Sequence, residues 1–236
     1  MNSWGKSDSH YCWEPQYPGG GCFGCELNSD HNCRVDKYIV GAADLDLMKR
    51  LIKSGTDHSK FLRMIGVTCD LTAPLYWWKE YDTYKVGTVE NSCSTMHKIH
   101  AKEFVLDDFS HEHLFNGTDR AEGNEDMEYY ENPTTCLEYV VSVLNHYRNK
   151  YLIASEKLKR TDLSNAERKH TQAQQKFFWW QMIQLLPTSY NQKRTVQLNY
   201  AVLRNIYHSR KNHKLDEWHT LCRWIEGLPY SELITM

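Results

Sequence analysis

Apolar residues recur along this chain with two distinct periods, and the alternation of those periods lays out the elements. Over residues 44–53, Leu45, Met48, Leu51 and Ile52 share one helical face, and Gly55 is placed to close the helix. Residues 63–71 alternate as a strand does. The next stretch, TAPLYWWKEYDTYKVGTVENSCS at 72–94, sets Pro74 at a first helical position, where a missing N–H costs nothing. Trp77, Tyr81 and Tyr84 follow at i, i+4 and i+7, one stripe of a helix that Gly87 ends before a polar tail of Thr88, Glu90, Asn91, Ser92 and Ser94. A long helical period begins near Pro133 and continues through Leu158, with Leu137, Val140, Val141, Leu144, Tyr147, Tyr151 and Leu152 on its apolar side. Residues 161–165 break it, and Ser164 is a suitable cap for a second helix over 166–186. Residues 190–198 read as a strand, 199–210 and 215–226 as helices, and Leu228-Pro229 as the break before the tail. The pattern predicts an α+β protein in which long helices pack around a modest mixed sheet.

Composition narrows the classes. At 236 residues the chain can bury one sizeable core. With 28 basic and 30 acidic residues it is not built to bind nucleic acid by bulk charge, although local basic clusters can still hold phosphate. No apolar run reaches the length of a membrane span, and the first residues lack the apolar core of a signal peptide, so a soluble cytoplasmic protein is expected. Residues 116–132 are acidic and contain glycine, a loop or insertion. His111-Glu112-His113 places its histidines two apart, off a common helical face, and they are expected to face solvent rather than a metal. Phe177, Phe178, Trp179 and Trp180 fit core packing or a subunit interface better than ligand stacking.

Eight cysteines are present, and four of them, Cys12, Cys22, Cys25 and Cys33, crowd residues 1–36, a Gly-, Pro- and Asp-rich segment expected to be irregular. Cys22 and Cys25 form a C-x-x-C, and Cys12 and Cys33 can complete a four-sulfur zinc site, with His10 or His31 as substitutes. Unpaired thiols or a redox pair account for the same residues. Residues 37–236 then form the main domain.

The 72–94 stretch reads two ways. Its spacing fits an aromatic core helix with a salt-bridged outer face. It also fits a helix whose end and following loop present charged and hydroxyl groups to a planar, phosphorylated ligand. The chain has no G-x-S-x-G, no glycine phosphate loop and no dinucleotide fingerprint, so any catalysis has to be borrowed from a cofactor.

The second reading gains from a resemblance to the flavin-dependent thymidylate synthases. Those enzymes carry an Ala-Pro, a helix with a Gln, then R-H-R-x-x-S-x-N-E-x-S. Here Ala73-Pro74 matches the Ala-Pro, Glu80 stands at the Gln, Thr83, Tyr84 and Lys85 stand at R-H-R, and Thr88 stands at the first Ser. Asn91 and Ser94 match the last Asn and Ser after one inserted residue; without the insertion Glu90, Asn91 and Cys93 stand there instead. Residues 186–218 resemble the family's closing strand and helix through Leu186-Pro187, Tyr190, Asn199, Leu203, Arg210, His213 and Trp218. Residues 55–70 sit where the family has G-H-x-[ST]-x-x-E-H, with His58 at the His and Lys60 and Arg63 replacing the hydroxyl and the Glu. The family's opening strand, with an early Ala-Arg, is not recognisable, as in a chain that starts inside a longer ancestor.

The resemblance implies a thymidylate-synthase-complementing-protein-like fold and a homotetramer with FAD at its interfaces. It implies methylation of dUMP or a related pyrimidine nucleotide, with methylene-tetrahydrofolate as donor and NADPH as reductant. It places Arg210 and Thr88 in the catalytic role. Glu80, Thr88, Ser94 and Arg210 would face the nucleotide, and His58, Lys60, Arg63, Tyr84, Lys85, Asn91, Asn199 and His213 the flavin. Thr83 removes a guanidinium fork that a hydroxyl cannot imitate, and Lys60 and Arg63 return positive charge from another element. For Arg210 a plain alternative is a cation stabilised by the helix dipole. Two other readings stand beside the enzyme: a non-catalytic nucleotide-binding relative, and a zinc-stabilised interaction module.

Overall fold

The computed structural model describes residues 7–11, 38–92, 94–116 and 132–236. The cysteines proposed for zinc, Cys12, Cys22, Cys25 and Cys33, lie outside the described residues, as do residues 117–131 of the 116–132 insertion. The architecture is α+β, with helices and a small three-stranded sheet. It divides into two compact units: Gly66–Leu198 with Lys214–Trp218, and the described residues of Met1–Ile65 with Asn199–His213 and His219–Met236.

In the unit that begins at Gly66, strand β3 (Gly66–Pro74) leads into helix α2 (Leu75–Tyr81). The expected strand over 63–71 is displaced. Lys60–Met64 form a 3-10 turn that buries Leu62, and alternation starts only at Gly66, with Val67, Cys69, Leu71 and Ala73 on the inner side. Pro74 is not the first helical residue either. Its backbone is still extended (φ −68°, ψ 154°), and it caps the helix from outside. The N–H groups of Leu75 and Tyr76, which no helical turn can satisfy, donate to the carbonyls of Tyr190 and Thr188 at 3.0 Å each.

Past Gly87, whose φ of 83° suits a residue without Cβ, the polar tail forms strand β4 (Val89–Ser92). All four residues are exposed, so no apolar alternation announces it. Its order comes from main-chain pairing, antiparallel to strand β5 (Asn191–Asn199), with Val89 opposite Gln197 and Ser92 opposite Arg194. The sheet order is β3-β5-β4.

A short helix α3 (Thr95–Lys98) follows, and then the long pair α4 (Pro133–Lys159) and α5 (Asn165–Leu185). Asn132 caps α4 through Thr134 N and Thr135 N. Ser164 caps α5 in a reciprocal box with Glu167. Arg168 turns back to the carbonyls of Leu158 (3.0 Å) and Arg160 (2.7 Å), covering the C-terminal end of α4. Leu137 and Leu144 of α4 and Met182 of α5 close a core with Ile99, Phe104 and Phe109. Asn145 pins the intervening chain by bonding both Phe104 N (2.9 Å) and Phe104 O (2.8 Å).

The other unit holds a two-residue antiparallel pair, β1 (His10–Tyr11) with β2 (Tyr38–Ile39), then α1 (Ala42–Lys53). Gly55 follows α1 with φ 109°. Helices α6 (Tyr200–Arg210) and α8 (Glu232–Thr235) belong to it, with the part of α7 (Asp216–Glu226) from His219 onward. Tyr200, Leu203, Ile206, Ile225, Leu233 and Ile234 are buried there. The N–H of Tyr200 donates to Ile65 O (3.0 Å), so α6 starts against the end of the 3-10 turn.

Candidate functional site

Helix α2 supplies the floor of the candidate site. Trp77, Trp78 and Tyr81 are buried, and Trp218 joins them. Trp77 lies 4.6 Å from the Trp218 ring centroid and stacks on Tyr81 at 5.1 Å. The helix stops at Tyr81, one turn short of the stripe read from spacing, with Asp82 as its cap. Tyr84 nevertheless reaches the same cluster, edge-on to Trp218 at 6.0 Å. The rings of this helix are core, as the aromatic-core reading expects. Glu80 accepts a hydrogen bond from Trp218 Nε1 at 3.0 Å, which fixes the indole and the carboxylate together.

The segment after α2 carries the rest. Thr83 turns its hydroxyl back to Glu80 O (2.7 Å). Lys85 is exposed, and Tyr84 half-buried. The Thr88 hydroxyl is buried and has no hydrogen-bond partner among the described residues. A buried hydroxyl left unpaired costs about 1–3 kcal/mol, so this oxygen is suited to an incoming polar atom. Asn91 pairs with Thr195 across the β4–β5 ladder, and Ser94 stands exposed ahead of α3. Glu80, Tyr84, Lys85, Thr88, Asn91 and Ser94 thus fall in one unit, between the end of α2 and the start of α3.

The remaining candidates fall in the other unit. His58, Lys60 and Arg63 are exposed, in and just before the 3-10 turn. Asn199 caps α6 by accepting from Val202 N (3.1 Å), so its carbonyl oxygen already has a structural task. Arg210 is the last residue of α6 and half-buried, and His213 N donates to its carbonyl at 2.9 Å. The 3-10 turn packs on α6, which brings the His58–Arg63 stretch and the Arg210 helix into one unit.

Among the described residues no group of three His, Cys, Asp or Glu side chains is arranged to hold a metal. His111 is half-buried and bonds Phe109 O at 2.8 Å, so only Glu112 and His113 of that triplet are exposed. His113 meets Asp216 at 3.0 Å. Tyr76 donates to Glu217 and lies 3.0 Å from the Ser110 hydroxyl. Burial, and then the Glu217 bond, push its phenol up to about 12, so it stays protonated.

The sequence reading passed over Arg194 and Gln192. Inner-face positions of β5 alternate as Gln192, Arg194, Val196 and Leu198, and two polar residues on the inner side of a strand were the available signal. Arg194 Nη1 bonds Asp82 Oδ1 (2.8 Å) and Glu90 Oε2 (2.6 Å). Its guanidinium carbon lies 4.2 Å over the Trp78 ring. Gln192 accepts from Arg194 Nε (2.9 Å) and from Trp78 Nε1 (2.9 Å), and donates to Thr95 Oγ1 (2.9 Å).

The elements define an α+β protein with an aromatic-floored, charge-framed loop. No protein-family model matches the sequence, and no curated protein matches it. Among solved structures, the chain is similar to a crystal structure of the flavin-dependent thymidylate synthase ThyX from Helicobacter pylori complexed with FAD and dUMP. The TM-score is 0.49 at 15% identity, over 82% of this chain and 83% of that one. A second structure of Thymidylate Synthase X from Helicobacter pylori, with FAD and dUMP, gives 0.48 at 16% identity, over 83% and 82%. No helix among the described residues is long and apolar enough to cross a membrane.

Proposed function

We propose that this chain is a divergent flavin-dependent thymidylate-synthase-like protein that binds FAD and dUMP or a related pyrimidine nucleotide. One observation carries the reading: two stretches that resemble the family, 72–94 and 186–218, lie far apart in sequence and pair as neighbouring strands of one sheet. β4 belongs to 72–94 and β5 to 186–218, and β3 (Gly66–Pro74) spans the join between the 55–70 and 72–94 stretches. Two residues matched to separate motifs, Glu80 and Trp218, are hydrogen-bonded to each other. The loop after Pro187 supplies the carbonyls that start α2.

In this reading Glu80, Thr88 and Ser94 face the nucleotide, and Tyr84 offers a planar ring to base or flavin. Lys85, Asn91, Asn199, His58, Lys60, Arg63 and His213 line the flavin. Arg210 holds the pyrimidine or its phosphate with two parallel hydrogen bonds. FAD, when bound, supplies the redox chemistry that this chain's own side chains lack, with methylene-tetrahydrofolate and NADPH as co-substrates. The protein is then a cytoplasmic homotetramer whose thymidylate-synthase-like domain is residues 37–236, preceded by the Cys-rich residues 1–36, whose cysteines are a candidate zinc site or unpaired or redox thiols.

The test is direct. The purified full chain, incubated with FAD and desalted, is expected to keep flavin absorbance and to bind dUMP in calorimetry. Arg210→Lys should weaken dUMP by about 1.5–3 kcal/mol, the scale of a lost charged hydrogen bond. Failure of the chain both to retain flavin and to bind dUMP would sink the proposal. A non-catalytic nucleotide-binding relative is the second reading, and Thr83 favours it, because its hydroxyl is turned onto the helix end where the family has an arginine. Binding without turnover selects that one.

A further inference from the structure

The loop 83–88 joins Asp82, the cap of α2, to β4, and it carries Tyr84, Lys85 and Thr88. Its two flanks are both tied to one side chain. Asp82, just before it, and Glu90, just after it, accept from the same Arg194 nitrogen, at 2.8 and 2.6 Å. Arg194 is itself immobilised: its side chain is 16% exposed, stacked over Trp78, and held at Nε by Gln192. Gln192 extends the same hold to Thr95, beyond Ser94. Neighbouring loop ends carry like charges, Asp82 and Glu90, which repel each other without the cation between them.

We propose that Arg194 is a positioning residue for the candidate nucleotide-facing loop, a staple that sets where Tyr84, Lys85 and Thr88 stand without touching the ligand itself. The role rests on the proposed function for the identity of the ligand, and on geometry alone for the staple. A guanidinium suits it because it reaches two carboxylates while lying flat on an indole; an ammonium has no flat face to stack and no planar fork. The loop's own side chains cannot substitute: Lys85 is exposed, and Thr83 is bonded to Glu80 O.

Amide hydrogen exchange on the ligand-free full chain, with dUMP calorimetry beside it, tests the assignment in Arg194→Lys and Glu90→Gln. Glu90→Gln removes one tie at the sheet edge and leaves Arg194 on Trp78, so it keeps the test open if the arginine variant fails to fold. Exchange in 83–92 is expected to speed by on the order of tenfold in both variants, with α4 and α5 unchanged, as local opening allows. Affinity for dUMP should fall by on the order of tenfold or more. Saturating dUMP should return the loop to its wild-type protection in Glu90→Gln, because the ligand selects the ordered loop. Three outcomes overturn the assignment: unchanged loop exchange with lost affinity, which makes Arg194 a direct contact; uniformly faster exchange everywhere, which makes it a core residue; and a loosened loop with undiminished affinity. A loosened loop in a protein whose wild type binds no dUMP supports the staple and overturns the proposed function instead.

Discussion

Thr88 makes opposite demands on the empty and the occupied protein. Its hydroxyl is buried without a partner among the described residues, so the ligand-free fold carries the cost of that desolvated oxygen. Thr88→Val keeps the shape and removes the oxygen. It should raise the stability of the ligand-free protein by about 1 kcal/mol, the order of an unpaired buried hydroxyl, and lower the affinity for dUMP. Denaturant melts and calorimetry on one preparation check both halves. A loss of stability would mean that the hydroxyl is already bonded, and the site argument at this residue would fail. Thr88 was reachable from sequence only through the motif match, since a threonine after a glycine has no pattern of its own. Arg194 was missed because its meaning depends on Asp82 and Glu90, which are more than a hundred residues away and come to it only through the β4–β5 register.

At the scale of elements, legibility followed local chemistry. α1, α4, α5 and α6 lie within a few residues of their expected bounds, because caps and apolar stripes are written in neighbouring residues. Ser164 with Glu167 is the clearest case. Ser164→Ala should cost about 1 kcal/mol, and because Glu167 bonds Ser164 N as well as its hydroxyl (3.0 and 2.7 Å), Glu167→Ala should not add its full cost to the first. Additive losses in urea melts would count against the reciprocal box. β4 failed to announce itself because an exposed edge strand needs only a partner backbone, and the start of β3 slipped because Leu62 is buried by a turn whose residues mimic a strand's alternation. The two units and the hundred-residue contacts of β5 have no local signature at all.

At the scale of the molecule, stability should depend on pH through His100. Its Nδ1 is buried without a partner among the described residues, and its ring lies 4.6 Å from Tyr151. Burial first, and then the nearby cations Lys98 and Arg148, hold its pKa below the ordinary histidine value. The folded state therefore keeps His100 neutral where the unfolded chain protonates it. The unfolded state binds more protons across that interval, so stability is full above about pH 6.5 and is lost as pH falls from there through the lower folded-state value. The carboxylates held low by their hydrogen bonds act in a separate window. Glu112, bonded by its own and neighbouring N–H groups and by Ser110, contributes stability that is lost only as pH falls below the ordinary carboxylate range. His100→Phe keeps a ring against Tyr151 and removes the titration. Urea melts of the two proteins at pH 7.5 and at pH 5.5 are the measurement, and the wild type should lose clearly more stability between them than the variant. Equal losses would assign the slope to other histidines and leave His100 a packing residue alone.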